Sequence, residues 1–315
     1  MNSILITGGA GFIGSHICDR LLKEGNAVNV IDNFDRFYDL QIKKSNVANN
    51  LKNPKFKLTE GDIMNIKDIE SVTKDVDAII HEAAQPGVRI SVELPVKTTD
   101  VNIIGTLNVL ETARKKDISK IVFASSSSVY GKIQYLPFDE EHPTQPISPY
   151  GASKLACEHY CKVFSQVYGL KIVTLRYFTV YGPRMRPDLA INKFMHKAIK
   201  GEDLEIYGDG KKTRDITYIE DATEANILAL KYNGTDTFNI GGGNKISIEE
   251  LSEKILKITK SKSKIITKEN VKGDVEHTGA DNKKAGARLG WNPKVKIDDG
   301  LKRYYEWIVR SINCK

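Results

Sequence analysis

The sequence predicts an α/β fold: a doubly wound parallel sheet joined to a smaller mixed α/β lobe toward the C-terminus. Three observations predict it. Short β-rich runs alternate with helix-period segments as far as residue 178. A tight cluster of glycines separates the first run from the first helix. After residue 178 the pattern loosens into turn-rich pieces, as expected of a second lobe closing over the first. The expected division is 1–178 with 215–238 as one unit and 179–214 with 239–315 as the other.

Taken in order, the runs are Ile4–Thr7, Val28–Asp32, Phe56–Thr59, Ala78–His81, Ile121–Ser125 and Ile172–Arg176. Each is short, rich in Ile, Val and Phe, and apolar on both faces, as strands covered by helices on either side must be. Between them, "IGSHICDRLLKEG", "VNIIGTLNVLETARKK" and "YGASKLACEHYCKVFSQVYG" carry apolar residues at helical spacing. Beyond residue 178 come the turn-rich "VYGPRMRPD" and "IYGDGKKTRD". "RDITYIEDATEANILALK" reads as one more strand–helix unit of the sheet. Ser247, with Glu250 three residues on, forms a capping box at a helix start, and an amphipathic helix through "LKRYYEWIVR" ends the chain.

Composition excludes several classes. At 315 residues the chain has ample core for such a fold, and its hydrophobic content of 40% is ordinary. No apolar run suits a bilayer, and the N-terminus enters a strand without a signal peptide, so the expectation is a soluble, cytoplasmic protein. The net charge of +7 concentrates in "KITKSKSKIITKEN", which lacks aromatic interleaving, so no nucleic acid partner is expected. Cys18, Cys157, Cys161 and Cys314 have no zinc-type spacing and the six histidines are scattered, so no metal is expected.

Two motifs carry chemistry. In "ILITGGAGFIGSH" the glycines Gly8, Gly11 and Gly14 turn an apolar strand into a helix whose first amides can face a pyrophosphate. Asp32 ends the next strand, where an acid binds the adenosine ribose, so the unit is a Rossmann-type dinucleotide site. A carboxylate there repels a ribose 2′-phosphate and favours NAD over NADP, with Arg36 as the one opposing feature. The second motif is Tyr150 with Lys154 in "SPYGASKLACE", four residues apart on one helix face. A phenol titrates near pH 10, about three units too high for a base at neutral pH, and an adjacent ammonium favours phenolate. Tyr207 and Lys211 share the spacing, but two glycines between them make a turn, so that match carries nothing.

Together with "HEAAQ", "SSSSVYG", "LRYFTVYGPR", "GDGKKTRDITYIEDA" and "NIGGG", these motifs resemble the extended short-chain dehydrogenase/reductase family over nearly the whole chain. Within it they are similar to the NAD-dependent sugar-nucleotide epimerases and dehydratases. The resemblance implies that Gly8, Gly11, Phe12, Ile13, Gly14, Asp32 and Asn33 hold the adenosine diphosphate side of NAD. It places Asp62 and Ile63 beside the adenine, and Ala83, Ala84, Gln85 and Tyr177 toward the nicotinamide end. Lys154 would bond the ribose while tuning Tyr150, and Ser126 would bond the sugar's 4-hydroxyl.

Relatives that dehydrate a hexose carry Asp-Glu after that hydroxyl residue; here the two positions are Ser127 and Ser128. Serines of ordinary acidity do not do acid/base work, which leaves oxidation at C4 and its reversal: a 4-epimerase. Arg214 would reach the diphosphate of a UDP-sugar, or else pair with a surface acid, and Asp274 would take the uridine ribose. Thr179 and Arg186 are similar to UDP-glucuronate 4-epimerases, in which the arginine meets a sugar carboxylate; alternatively Arg184 and Arg186 form a basic loop over the diphosphate. The small Thr278 leaves room for an N-acetyl group, so UDP-glucose, UDP-N-acetylglucosamine and UDP-glucuronate stay open. Rival readings are a dehydratase, decarboxylase or reductase of the same fold, and a catalytically silent NAD-binding sensor or scaffold. Surplus apolar positions on "VNIIGTLNVLETA" and "LACEHYCKVFSQVY" suggest a homodimer, unless both stripes are simply core.

Overall fold

The computed structural model describes residues 2–243, 245–269 and 275–313. Its strands in the first half are β1 Ser3–Thr7, β2 Ala27–Asp32, β3 Phe56–Glu60, β4 Ala78–His81, β5 Lys120–Ser126 and β6 Lys171–Tyr177. They are followed by β7 Thr179–Tyr181, β8 Leu204–Tyr207, β9 Thr213–Tyr218, β10 Asp236–Ile240, β11 Lys245–Ser247 and β12 Ile265–Lys268. Seven of these form one parallel sheet in the order β10-β6-β5-β4-β1-β2-β3. All six strands expected in the first half of the chain lie in it.

Side chains along these strands alternate between two cores, which is why the runs read as apolar throughout. Ile4, Ile6, Val28, Val30, Ile80 and Val122 face one side, with Ile17 and Leu21 of helix Phe12–Lys23 and Ala225 of helix Ile219–Lys231. Leu5, Ile31, Ile79, Ile121 and Phe123 face the other. They meet Val109 and Leu110 of helix Gly105–Lys115, and Cys157, Cys161 and Phe164 of helix Pro149–Tyr168. Cys18, Cys157 and Cys161 are buried and free, so packing is what they contribute.

One assignment is corrected. Of "RDITYIEDATEANILALK", only the helix covers the main sheet. Strand β9 instead pairs with β7 and β11 in a separate three-stranded sheet. A central parallel strand must be apolar on both faces, and β9 carries Arg214 and Asp215. The place at the sheet edge goes to β10, beside β6. The smaller lobe adds the parallel pair β8–β12 and helices Ala190–Lys200, Ile248–Thr259 and Ile297–Asn313. Its buried Phe194, Met195, Trp291 and Tyr304 continue the core of the main sheet's first face, so the lobes share one interior. Ser247 and Glu250 form the expected capping box. No helix among the described residues is long and apolar enough to cross a membrane.

Candidate active site

A cavity opens where strand order reverses, between β1 and β4, at the carboxyl ends of the parallel strands. Gly8 sits at that point with φ +71°, and a Cβ there would lie 2.8 Å from the backbone nitrogen of Ala83. Only glycine lets the two strand ends come this close. Gly11, Phe12, Ile13 and Gly14 line the cavity beside it. Helix Phe12–Lys23 starts at Gly11 with no side-chain cap, so its first-turn amides are left for an anion.

Asp32 lines the same end and is buried. Its carboxylate accepts from Ala10 N at 3.1 Å and from Phe34 N at 2.9 Å, and pairs with Lys43 at 3.3 Å. It thus anchors the glycine turn as well as facing the cavity. Lys43 lies in an unremarkable helical stretch, and nothing in the sequence marks it. Arg36 is exposed and off the cavity wall. Asn33 lines the wall and donates to Asp62 at 3.0 Å; Ile63 reaches the wall, whereas Asp62 stands behind Asn33.

Tyr150 and Lys154 line the opposite end. Their helix begins at Ser148, whose Oγ accepts from Gly151 N at 3.1 Å, with Pro149 in the first turn. A Cβ on Gly151 would collide with the carbonyl oxygen of Ser128, so this glycine is what lets the helix start lie against the serine turn. Lys154 Nζ donates to Ala124 O on β5 at 2.7 Å and sits 5.0 Å from the Phe123 ring centre. Asn102 ties this end together. It accepts from Gln85 N at 2.7 Å and donates to Ser153 Oγ at 2.9 Å, and Ser153 Oγ donates to Tyr150 O at 2.8 Å. Gln85, on the wall beside Ala83 and Ala84, is thereby fixed to the helix that carries Tyr150.

The four serines divide. Ser125 donates to Glu158, whose carboxylate pairs with Arg176 at 2.7 Å; Arg176 donates on to Tyr130 at 2.9 Å, and Tyr130 to Asn239 at 2.6 Å. This buried network takes up the Glu158 carboxylate and the hydroxyl of Ser125, the one of the four serines that lines the cavity. Ser126 Oγ caps the turn Ser127–Val129 by accepting from Ser128 N at 3.1 Å, and also donates to Ser128 Oγ at 3.1 Å. Ser126 is the register partner of Tyr177, which lines the cavity, and Thr179 follows two residues later at the start of β7. Ser126, Ser127, Ser128 and Thr179 therefore gather just beyond the cavity wall, on the side of the smaller lobe.

The two arginines of "GPRMRPD" point to different partners. Arg184 pairs with Asp19 at 2.8 Å, away from the cavity. Arg186 lines the cavity, pairs with both carboxylate oxygens of Asp188 at 2.9 Å, and lies 5.6 Å from the Phe37 ring centre. Arg214 and Thr278 do not reach this wall. Arg214 donates to the carbonyls of Thr213 and Glu276 at 2.9 and 3.2 Å, and the buried Thr278 hydroxyl accepts from Asp215 N at 3.0 Å. Asp274 lies outside the described residues.

Glu82, in the "HEAAQ" stretch, is the residue most worth noticing that carried no role in the sequence reading. It lines the cavity and accepts from Tyr177 OH at 2.8 Å. Burial pushes its carboxyl up to about 7, against the smaller opposing pulls of that hydrogen bond and of Lys154. An acid directly after the apolar "AIIH" was the available signal.

The donor set fits a dinucleotide. The cradle with an uncapped helix start suits the pyrophosphate, the acid at the end of β2 suits a ribose, and the Tyr150–Lys154 pair stands where a nicotinamide ring would lie.

Comparison with known proteins agrees. The family described as GDP-mannose 4,6 dehydratase matches residues 5–304. A protein of Methanocaldococcus jannaschii named putative UDP-glucose 4-epimerase is 42% identical, over 97% of this chain and 98% of that one. The UDP-glucuronate 4-epimerase of Thermodesulfobacterium geofontis is 40% identical, over 99% of this chain and 98% of that one. The crystal structure of UDP-glucuronic acid 4-epimerase from Bacillus cereus, in complex with UDP-glucuronic acid and NAD, superposes with a TM-score of 0.93 at 36% identity, covering 98% of this chain and 99% of that one. A match spanning nearly every element leaves one assignment: the chain belongs to the GDP-mannose 4,6 dehydratase family of extended short-chain dehydrogenases/reductases.

Proposed function

We propose that the protein is an NAD-dependent UDP-sugar 4-epimerase and that its substrate is UDP-glucuronate. One observation carries the reaction type. Tyr150 and Lys154 share a cavity with the phosphate cradle and Glu158 is locked to Arg176, while Ser127 and Ser128 occupy the positions at which, by resemblance, dehydrating relatives carry Asp-Glu. NAD, when bound, accepts the C4 hydride and gives it back. Tyr150 takes the 4-hydroxyl proton as the hydride leaves, and the sugar becomes a 4-keto intermediate. Lys154, held by Ala124 O and lining the same cavity as Tyr150, would bond the nicotinamide ribose. After the keto sugar has turned its other face to the ring, Tyr150 returns the proton and the configuration at C4 is inverted.

The sugar is read from Arg186. It is the arginine on the cavity wall, and with Thr179 it is similar to the pattern of UDP-glucuronate epimerases. In this reading residues 1–178 and 215–238 serve NAD, and residues 179–214 and 239–315, Arg214 and Asp274 among them, serve UDP. The test is incubation with a panel of UDP-sugars and no added cofactor, with products identified by proton NMR. UDP-galacturonate formed from UDP-glucuronate, faster than either rival pair interconverts, is the expected result. A 4-keto-6-deoxy product would show that elimination occurs and overturn the reading.

The same helices that pack on the main sheet also carry an outward apolar stripe. On helix Pro149–Tyr168, Val163 and Val167 are 47 and 64% exposed and Tyr160 and Tyr168 are exposed too, and Val96, 71% exposed, and Ile104 lie in the helical run that leads into helix Gly105–Lys115. Inward core residues and outward apolar ones on helix Pro149–Tyr168 and on the helical run 95–115 suit pairing with a second copy as a four-helix bundle. Sedimentation is expected to give a dimer, with Val167→Glu shifting it toward monomer; a wild-type monomer at micromolar concentration would refute this.

A further inference from the structure

Glu82 lies on the reactive side of the cavity, and the proposed proton transfers leave it idle. It follows β4, the strand between β1 and the β5 that holds Lys154. Its surroundings are specific. Asn226 Nδ2 donates to Tyr177 OH at 2.6 Å, so the phenol's own proton is directed at Glu82 Oε1, 2.8 Å away. A fixed O–H aimed at one oxygen favours the carboxylate acting as an acceptor. Tyr177 from β6 and Lys154 from helix Pro149–Tyr168 act on it directly; Tyr150, Arg186, Asp32, Asp35, Tyr38 and Lys43 line the same cavity. His81, its neighbour on β4, is taken up by Thr7 and Thr106, and burial lowers it to about 3, so it stays neutral.

We propose that Glu82 is the charge partner of the oxidised nicotinamide ring: its carboxylate favours the cationic form of the bound cofactor over the reduced form. The inference rests on the cofactor reading above and deepens it. Hydride transfer to the ring removes the ring's positive charge. A carboxylate in the same cavity opposes that loss and favours return of the hydride to the sugar. An epimerase needs this bias, because every cycle must end with the oxidised cofactor. The carboxyl titrates at about 7, so the sign is fixed: below that pH the group is neutral and the bias fades, and above it the bias is complete.

The full-length protein is equilibrated with an equimolar mixture of NAD⁺ and NADH at about pH 6 and about pH 8.5, on either side of the titration. The bound nucleotides are then released by denaturation and separated. In the wild type the bound NAD⁺:NADH ratio is expected to rise about tenfold between the two pH values, the effect of about one pKa unit of coupling. In Glu82→Gln, which keeps an acceptor for Tyr177, the ratio should stay at the wild type's low-pH value. ADP-ribose, which lacks the ring, should bind equally at both pH values and to both proteins. A flat wild-type ratio, or an equal rise in the variant, would overturn the role of Glu82 while ADP-ribose binding persists. A wild type that does not bind ADP-ribose would instead overturn the cofactor reading, and this inference with it. The wild-type slope decides the matter even if the variant does not fold.

Discussion

Tyr150→Phe should lower turnover by about 10³-fold or more while leaving the cofactor bound and the melting temperature unchanged. The substitution removes one oxygen from a partly exposed residue at the start of a helix whose cap, Ser148, and lysine anchor, Lys154 on Ala124 O, do not depend on it. The structural cost is therefore small. The chemical cost is large, because no neighbour can replace the phenol. Ser126 is committed to the turn beyond it, Glu158 to Arg176, and Glu82, though on the cavity wall, is an acceptor already engaged by Tyr177 OH. Turnover comes from the UDP-sugar assay, and retention from the dinucleotide released on denaturation. Full retention with lost turnover separates a catalyst from a dinucleotide-binding scaffold. Undiminished turnover would remove Tyr150 from its role.

That experiment bears on motifs that local sequence displays well. Gly8, Asp32 and the Tyr150–Lys154 pair each lie within a few residues of a strand end or helix start, and backbone geometry there is set by glycine, proline and the cap residue. The six strands of the first half were legible for the same reason: burial on both faces makes the run apolar from end to end. What was not legible depends on contacts between distant segments. Lys43 meets Asp32 only because a helix folds back over the glycine turn, and Asn102 joins Gln85, 17 residues before it, to Ser153, 51 residues after it. Strand β9 was misplaced because alternation cannot say which sheet a strand joins, although its Arg214–Asp215 pair already spoke against a central position. The serine run looked like one chemical unit. In the fold its first member lines the cavity and donates to Glu158, while the remaining three form a turn held by the Ser126 hydroxyl.

Arg186→Met should cut kcat/KM for UDP-glucuronate by about 10²- to 10³-fold, yet change that for UDP-glucose by less than about tenfold. The guanidinium has two exposures to charge. It is held by both oxygens of Asp188, and its remaining face looks into the cavity beside Phe37 and Tyr38. Burial alone would make this arginine easier to deprotonate, but its pairing with Asp188 outweighs that and keeps it charged. A second carboxylate, on the sugar, can share the guanidinium because a planar fork offers more N–H groups than one partner occupies. Met preserves the length and apolar stem against Phe37 but offers no donor, so a uronate would be left with an unpaired carboxylate in a dry site. Asp188 is partly exposed and can be hydrated once its partner is gone, which limits the damage common to all substrates. Reading the ratio of the two kcat/KM values cancels whatever general loss remains. Equal losses on both sugars would place Arg186 in the scaffold and send the search for the sugar's recognition to Thr179 and the serine turn.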